Sequence, residues 1–182
     1  MPLVDPLSRK ALLEHARAAI ARAIGVAGAP PGTDLPVPHG LRAGAFVTLR
    51  MRGSLRGCIG YPEPELPLVD VIERCAVSAA LSDPRFPPVS AGEWNAIQLE
   101  LSVLGPIEPV RDLGDVIVGV HGLIVEGGRN RGLLLPQVAR EWKWDAVEFA
   151  AQTCIKAGLP REAWQNGAAL FRFEADVFGE SD

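Results

Sequence analysis

The fold class is decided by the stretch AFVTLRMRGSLRGCIG, which occupies residues 45–60. Side chains 45, 47, 49 and 51 are apolar and share one face, while Phe46, Thr48 and Arg50 share the other, and this period of two predicts a strand. Residues 52–54 predict a turn and residues 55–59 a returning strand, because the alternation breaks only at Arg-Gly-Ser. The stretch therefore predicts an antiparallel hairpin.

Helices and further strands surround this hairpin in the sequence. Helical spacing of apolar residues predicts three helices, which run from Asp5-Pro6 to Gly25, from Leu68 to near Ser82, and from the capping box Asp145–Glu148 to Lys156. Alternation predicts strands over 97–103, at the end of 116–125, over 133–135 after a hairpin connection at 127–132, and over 171–177. Hairpins outnumber the helices that could cross between parallel strands, so we predict an α+β fold with a mostly antiparallel sheet flanked by helices.

Length and composition indicate one globular domain, with or without a small subdomain. The chain has 182 residues, of which 48% are hydrophobic and 22% charged. Residues 27–44 contain four prolines and four glycines, which predict a connecting loop laid over the domain. This loop and a break near 105–115 are the two places where a subdomain boundary could fall.

Charge and hydropathy exclude several classes of function. The net charge of −4, from 18 Lys and Arg against 22 Asp and Glu, provides no domain-wide attraction to nucleic acid or anionic lipid. No apolar run approaches the ~20 residues that a membrane span needs, and the first residues do not have the pattern of a signal peptide. Three cysteines cannot all pair, which favours a reduced, cytoplasmic protein.

The first candidate site is the hexapeptide LRGCIG at residues 55–60, since the chain has no phosphate-loop, dinucleotide, nucleophile-elbow or zinc signature. Gly57 and Gly60 bracket Cys58 within a strand, where glycine usually marks a close backbone approach or a bulge. Arg56 lies two residues before Cys58, so on a regular strand both side chains share a face and the guanidinium favours the thiolate. The alternative is a small cysteine buried in the sheet with Arg56 at its rim.

Three further positions carry polar groups that core packing does not require. Asp83 and Arg85 lie in a proline-stiffened loop, where they could bind a carboxylate or phosphate or simply pair with each other. Glu100 lies on the polar face of the strand 97–103 and is either solvated or a general base. His121 lies between Gly119 and Gly122, where its imidazole could act as a base or serve a structural role.

Five segments in this order resemble the AMMECR-type domain family. They are LRGCIG at 55–60, SAALSDPRFPP at 78–88, LELSVL at 99–104, GVHG at 119–122, and LPQVA at 135–139 with Glu141 and Trp144-Asp145. The resemblance covers residues 7–178, and Tyr61 departs from it, since the family often has a small hydroxyl residue there. It implies one domain over 1–182, α+β in architecture, with a larger and a smaller lobe, and similar to the prokaryotic proteins that accompany MEMO-type and radical SAM proteins.

The resemblance implies no established reaction, so two hypotheses stay open. In the first, the protein is an enzyme or has a small-molecule site, with Cys58 as nucleophile or metal ligand and His121 and Glu100 as base and orienting group. The ligand-binding residues of this hypothesis are Arg56, Gly57, Gly60, Asp83 and Arg85. In the second, a binding module without chemistry docks MEMO-type or radical SAM partners through the same loops. The sequence identifies no cofactor and no metal site, and nucleic acid is the least favoured partner.

Overall fold

The computed structural model of the chain describes residues 3–27 and 40–181, so positions 28–39 of the predicted loop at 27–44 lie outside the described residues. The architecture is α+β, with antiparallel strands flanked by helices, as the sequence predicts. The chain forms two compact units. Unit 1 comprises Met1–Leu104 with Asp176–Asp182, and unit 2 comprises Gly105–Ala175.

The described part of unit 1 contains two α-helices and three complete strands, together with the last residues of a fourth strand. In chain order they are α1 (Pro6–Ala23), β1 (Ala45–Met51), β2 (Ser54–Tyr61), α2 (Leu68–Leu81) and β3 (Ile97–Leu104). The Asp5 carboxylate caps α1 by accepting from the backbone N–H groups of Leu7 and Ser8, which confirms the predicted start of this helix. The predicted helix 68–82 is confirmed as α2.

The predicted hairpin is confirmed by the antiparallel pairing of β1 with β2. The turn is shorter than predicted, because Ser54 already pairs with Met51. Only Arg52 and Gly53 turn the chain, with φ angles of 53° and 80°. Two successive left-handed residues form the turn that matches the right-handed twist of the strands, which explains why glycine occupies the second position.

The strands of unit 1 pair antiparallel in the order β2-β1-β3, and the two faces of this sheet differ. One face packs on α1 and α2 through a core that includes Val47, Leu49 and Leu101. Thr48 pairs with Cys58 on one side and with Glu100 on the other, and these three side chains alternate with the core residues. The hydrophobic face therefore fixes the register that places Cys58, Thr48 and Glu100 on the opposite face.

Unit 2 has its own core and its own strand pairs. Its elements are β4 (Glu108–Pro109), β5 (His121–Gly127), β6 (Asn130–Leu134), α3 (Pro136–Glu141), α4 (Ala146–Lys156) and β7 (Ala169–Gly179), whose last residues belong to unit 1. β7 pairs with β4 and β5, and β6 pairs with β5, all antiparallel. Phe149 and Leu123 are buried in its core.

Most of the predicted elements of unit 2 are present, with two differences. Asp145 caps α4 by accepting from the Glu148 N–H, as the capping box predicts. The predicted connection 127–132 is tighter, since β6 already begins at Asn130. The helix α3 is not predicted by the pattern, because six residues are too few for apolar periodicity to emerge. Within the described part of the chain, no helix is both long and apolar enough to cross a membrane.

Candidate functional site

Cys58 lies in β2 with a half-buried side chain whose sulfur faces a hydroxyl. The Thr48 Oγ1 donates to the Cys58 Sγ over 3.3 Å. Burial raises the pKa of the Cys58 thiol above its ordinary value, while the Thr48 hydrogen bond and the charge of Arg85 lower this pKa in part. The net effect is a protonated thiol at neutral pH that is held in a defined direction.

Cys58 belongs to a row of three polar side chains, Cys58, Thr48 and Glu100, which we call the polar row. The row crosses β2, β1 and β3 because Thr48 is in register with both of the others. Paired residues in antiparallel strands project to the same side of the sheet, and strands are about 4.8 Å apart. The row therefore places a thiol, a hydroxyl and a carboxylate side by side on one face.

The backbone of Cys58 is clamped by Asp83 and Arg85. The Cys58 N–H donates to Asp83 Oδ2 over 2.9 Å, and Arg85 Nη2 donates to the Cys58 carbonyl over 3.2 Å. Asp83 and Arg85 also bind each other through two side-chain hydrogen bonds of 3.0 and 2.7 Å. The two loop residues thus satisfy backbone groups of β2 that a neighbouring strand would otherwise pair.

The clamp is asymmetric in its burial and charge. Asp83 is 4% exposed, whereas the Arg85 side chain is 51% exposed. Hydrogen bonds from Arg85 hold the pKa of Asp83 well below its usual range, so this carboxyl stays ionised. Two of the predicted ligand-binding residues therefore already bind each other and Cys58, while half of the Arg85 side chain faces solvent.

Arg56 does not share a face with Cys58 in the way the sequence predicts. The register passes from Leu49–Gly57 to Arg50–Leu55, so Arg56 is the extra residue of a β-bulge and the strict alternation fails at this position. The cation that lowers the pKa of Cys58 is Arg85, and an effect of Arg56 on the thiol stays a prediction.

Arg56 instead holds the loop that follows α2. Its guanidinium donates to both carboxylate oxygens of Glu93, at 2.9 and 3.2 Å, and to the carbonyl oxygens of Pro87 and Pro88. This pairing lowers the pKa of Glu93 to about 2. Arg56 is 8% exposed and its guanidinium makes four hydrogen bonds, which favours a structural role for this residue.

The two glycines of the hexapeptide leave space that other residues of the protein fill. A Cβ at Gly57 would overlap the carbonyl oxygen of Ala79 in α2, so the absence of a side chain lets the helix pack against β2. A Cβ at Gly60 would overlap the ring of Phe46, which lies across that position. Contact of either glycine with a ligand stays a prediction.

His121 belongs to unit 2, where it closes a turn. Its Nδ1 accepts from the Ile117 N–H over 2.9 Å, which leaves the proton of the neutral ring on Nε2. Burial and the charge of Arg172 lower the pKa of His121, so it is neutral at pH 7. These contacts give the imidazole a structural role in this unit, and its predicted part in catalysis stays a prediction.

The other two thiols are more deeply placed than Cys58. Cys75 and Cys154 are buried, and all three cysteines are free. Burial raises the pKa of Cys75 to about 11 and also raises the pKa of Cys154. Among residues 3–27 and 40–181, no group of three or more His, Cys, Asp or Glu side chains is placed to hold a metal ion.

Sequence reasoning missed Thr48 and Glu93. Thr48 could have been found by pairing the two hairpin strands outward from the turn, provided that the bulge at Arg56 was allowed for. Glu93 lies 37 residues from Arg56 in the chain, and no local signal connects the two.

Comparisons with known proteins agree with this architecture. A family model described as AMMECR1 matches residues 13–178. A protein of Methanothermobacter thermautotrophicus is 53% identical over 154 residues, which cover 81% of this chain and 80% of that protein. A protein of Methanosarcina acetivorans is 46% identical over 156 residues, covering 83% and 78%. The crystal structure of an uncharacterized protein from Pyrococcus horikoshii matches with a TM-score of 0.88 and 40% identity, over 97% of this chain and 93% of that one.

Proposed function

The chain belongs to the AMMECR1 family, and we propose that it binds a small molecule at the polar row, with Cys58 as the reactive group. The observation that carries the proposal is the register that aligns Cys58, Thr48 and Glu100 across three strands. A thiol, a hydroxyl and a carboxylate on one sheet face have no part in the core on the other face. Such a convergence of polar groups is typical of a ligand site.

The clamp of Asp83 and Arg85 supports this function by holding the backbone of Cys58 in place. A reactive group must keep its geometry when the ligand arrives, and backbone hydrogen bonds from a rigid loop provide that. Thr48 stabilises the thiolate by donating to the sulfur, and Glu100 at the other end of the row can accept a proton. These groups suit attack of sulfur on an electrophilic carbon or sulfur of the ligand.

A second candidate function is docking of a protein partner through unit 2. Trp142 is 68% exposed and stacks on Trp144, with their ring centroids 6.1 Å apart. An exposed tryptophan is costly to leave in water and is enriched at protein interfaces. The candidate partners are the MEMO-type and radical SAM proteins that the resemblance to the AMMECR-type family implies. Three free cysteines support a cytoplasmic location for either function.

The test is competitive alkylation of the native protein. Limiting iodoacetamide at neutral pH, followed by peptide mapping, should label Cys58 before Cys75 and Cys154, because only Cys58 is partly accessible. Denatured, unreduced protein should show three free thiols. Equal or slower labelling of Cys58 would refute its role as the reactive group.

Ligand binding is tested with a metabolite extract. Equilibrium dialysis of the wild-type protein and of Cys58→Ser and Glu100→Gln, with mass spectrometry of the retained compounds, compares the three directly. We expect a small molecule that the wild type retains and both variants lose. Equal retention by all three proteins would contradict a site at the polar row and favour the docking function.

A further inference from the structure

Ser102 carries a buried hydroxyl that forms no hydrogen bond with any described residue. It lies on β3 two residues from Glu100, on the same face, and its register partner is Phe46. Its relative exposure is 0%, and its Oγ finds no hydrogen-bond partner within the described structure. Buried polar atoms without partners are rare in folded proteins, and they often mark a place that another molecule fills.

Glu100 is the second unpaired group on this face. Across the described ranges 3–27 and 40–181, its half-buried carboxylate has neither a hydrogen bond nor an ion pair. Four other carboxylates of unit 1 each hold an arginine: Asp83 with Arg85, Glu93 with Arg56, Asp176 with Arg9, and Glu180 with Arg17. These four charges are compensated, whereas no described cation compensates the charge of Glu100.

We infer that the ligand at the polar row carries an organic cation, an ammonium or amidinium group, which Glu100 binds as counter-ion and Ser102 as a hydrogen-bonding partner. This inference rests on the proposed function and names the class of its ligand. A carboxylate forms its strongest hydrogen bonds with charged N–H donors, and a serine hydroxyl can accept one more.

The charges around Cys58 agree with a cationic ligand. Arg85, Asp83 and Glu100 are the charged groups that act on its thiol. Arg85 is positive and Asp83 and Glu100 are negative, so the three groups together carry a formal charge of −1. Arg50 is the competing cation on this face, two residues along β1 from Thr48 and in register with Gln98. Its guanidinium forms no ion pair with Glu100 among the described residues.

The test uses two thiol reagents of similar size and opposite charge. They are 2-(trimethylammonio)ethyl methanethiosulfonate and 2-sulfonatoethyl methanethiosulfonate. The Cys58 thiolate attacks the sulfur that bears the alkyl group, a mixed disulfide forms, and methanesulfinate leaves. The rate at Cys58 with each reagent is divided by its rate with the uncharged thiol 2-mercaptoethanol in the same buffer, which removes the intrinsic difference between the reagents.

We expect the normalised rate of the cationic reagent to exceed that of the anionic one by about fivefold at low salt. Glu100→Gln should abolish this preference. Glu14→Gln, which removes the same charge from an exposed position on α1, should keep it. A normalised ratio of one or below in the wild type, or an unchanged ratio in Glu100→Gln, would overturn the inference.

Ser102→Ala provides an independent measurement. Because the hydroxyl has no partner among the described residues, its removal should leave the urea midpoint unchanged or raise it. A lower midpoint would show that Ser102 serves the fold and would remove it from the ligand site. Failure of both reagents to modify native Cys58 would instead refute the proposed function, whereas equal normalised rates would refute only the cationic ligand.

Discussion

Replacing Asp83 by asparagine tests whether the clamp on Cys58 holds the site together. The carboxylate accepts four hydrogen bonds, two on each oxygen: Oδ2 binds the Cys58 N–H and Arg85 Nη2, and Oδ1 binds the Arg85 N–H and Nε. Asparagine keeps one oxygen and turns an NH₂ group toward two donors. The Asp83→Asn variant therefore loses at least two of these bonds and the charge that compensates Arg85.

The size of the stability loss in Asp83→Asn follows from the burial of each group that binds the carboxylate. A buried N–H left without an acceptor, here that of Cys58, costs about 1–3 kcal/mol. Arg85 is half exposed, so its ion pair contributes only about 0–1 kcal/mol. We expect the free energy of unfolding to fall by about 1–4 kcal/mol, which is about 0.5–2 M in the urea midpoint at a slope of about 2 kcal/mol/M.

The effect of Asp83 on stability depends on pH in a defined direction. Its pKa is lower in the folded protein than in the unfolded chain, where it is about 3.9. The carboxylate therefore stabilises the fold fully above that value, and the stabilisation is lost as the pH falls below it toward the folded pKa. The difference between wild type and Asp83→Asn should stay constant from pH 7 to about pH 5 and shrink below about pH 4.

Urea unfolding monitored by circular dichroism measures both the loss of stability in Asp83→Asn and its dependence on pH. Asp70→Asn, at an exposed position in the first turn of α2, is the matched control and should cost less than about 1 kcal/mol. A loss in Asp83→Asn no greater than in this control, or a difference that stays constant down to pH 2, would refute the reasoning.

Three further predictions concern residues around Cys58. Gly57→Ala should lower the free energy of unfolding in urea by about 3 kcal/mol, because the added Cβ meets the backbone of α2. The control Gly92→Ala, where the added Cβ has space, should change this free energy by less than about 0.5 kcal/mol. Equal effects of the two substitutions would contradict the close approach of α2 to Gly57. Thr48→Val should raise the pKa of Cys58 and slow its alkylation at pH 8, whereas a pH–rate profile identical to the wild type would exclude the hydrogen bond. Arg56→Met should cost about 2–4 kcal/mol by leaving a carboxylate unpaired, without moving the midpoint of that profile; a shifted midpoint would restore Arg56 as the activating cation.

Local features of the sequence predict the elements of this fold well. The hairpin of β1 and β2, the capped start of α1 and the apolar stripe of α2 each depend on residues within a few positions of one another. Periodicity and capping act over that same range, so the pattern contains the information. The helix α3 is not predicted from the sequence, because it is too short to show a helical period.

The candidate site could be predicted only in part. The sequence singles out Cys58, Asp83 and Arg85, which the structure brings together through the clamp. It also singles out Glu100, which the register joins to Cys58 through Thr48. It places Arg56 on the same strand face as Cys58, but a single bulge residue shifts the alternation by one, and the neighbouring glycines are compatible with either a bulge or a close backbone approach.

What the sequence alone determines about this protein is the identity and order of its strands and helices and the polar residues that core packing does not need. What only the tertiary structure decides is which of those residues meet. Asp83 is 25 residues from Cys58 in the chain, and Glu93 is 37 residues from Arg56. Such contacts depend on strand register and on how a loop packs after its helix ends. Both are set by the burial of the whole hydrophobic face, a property that no single segment contains.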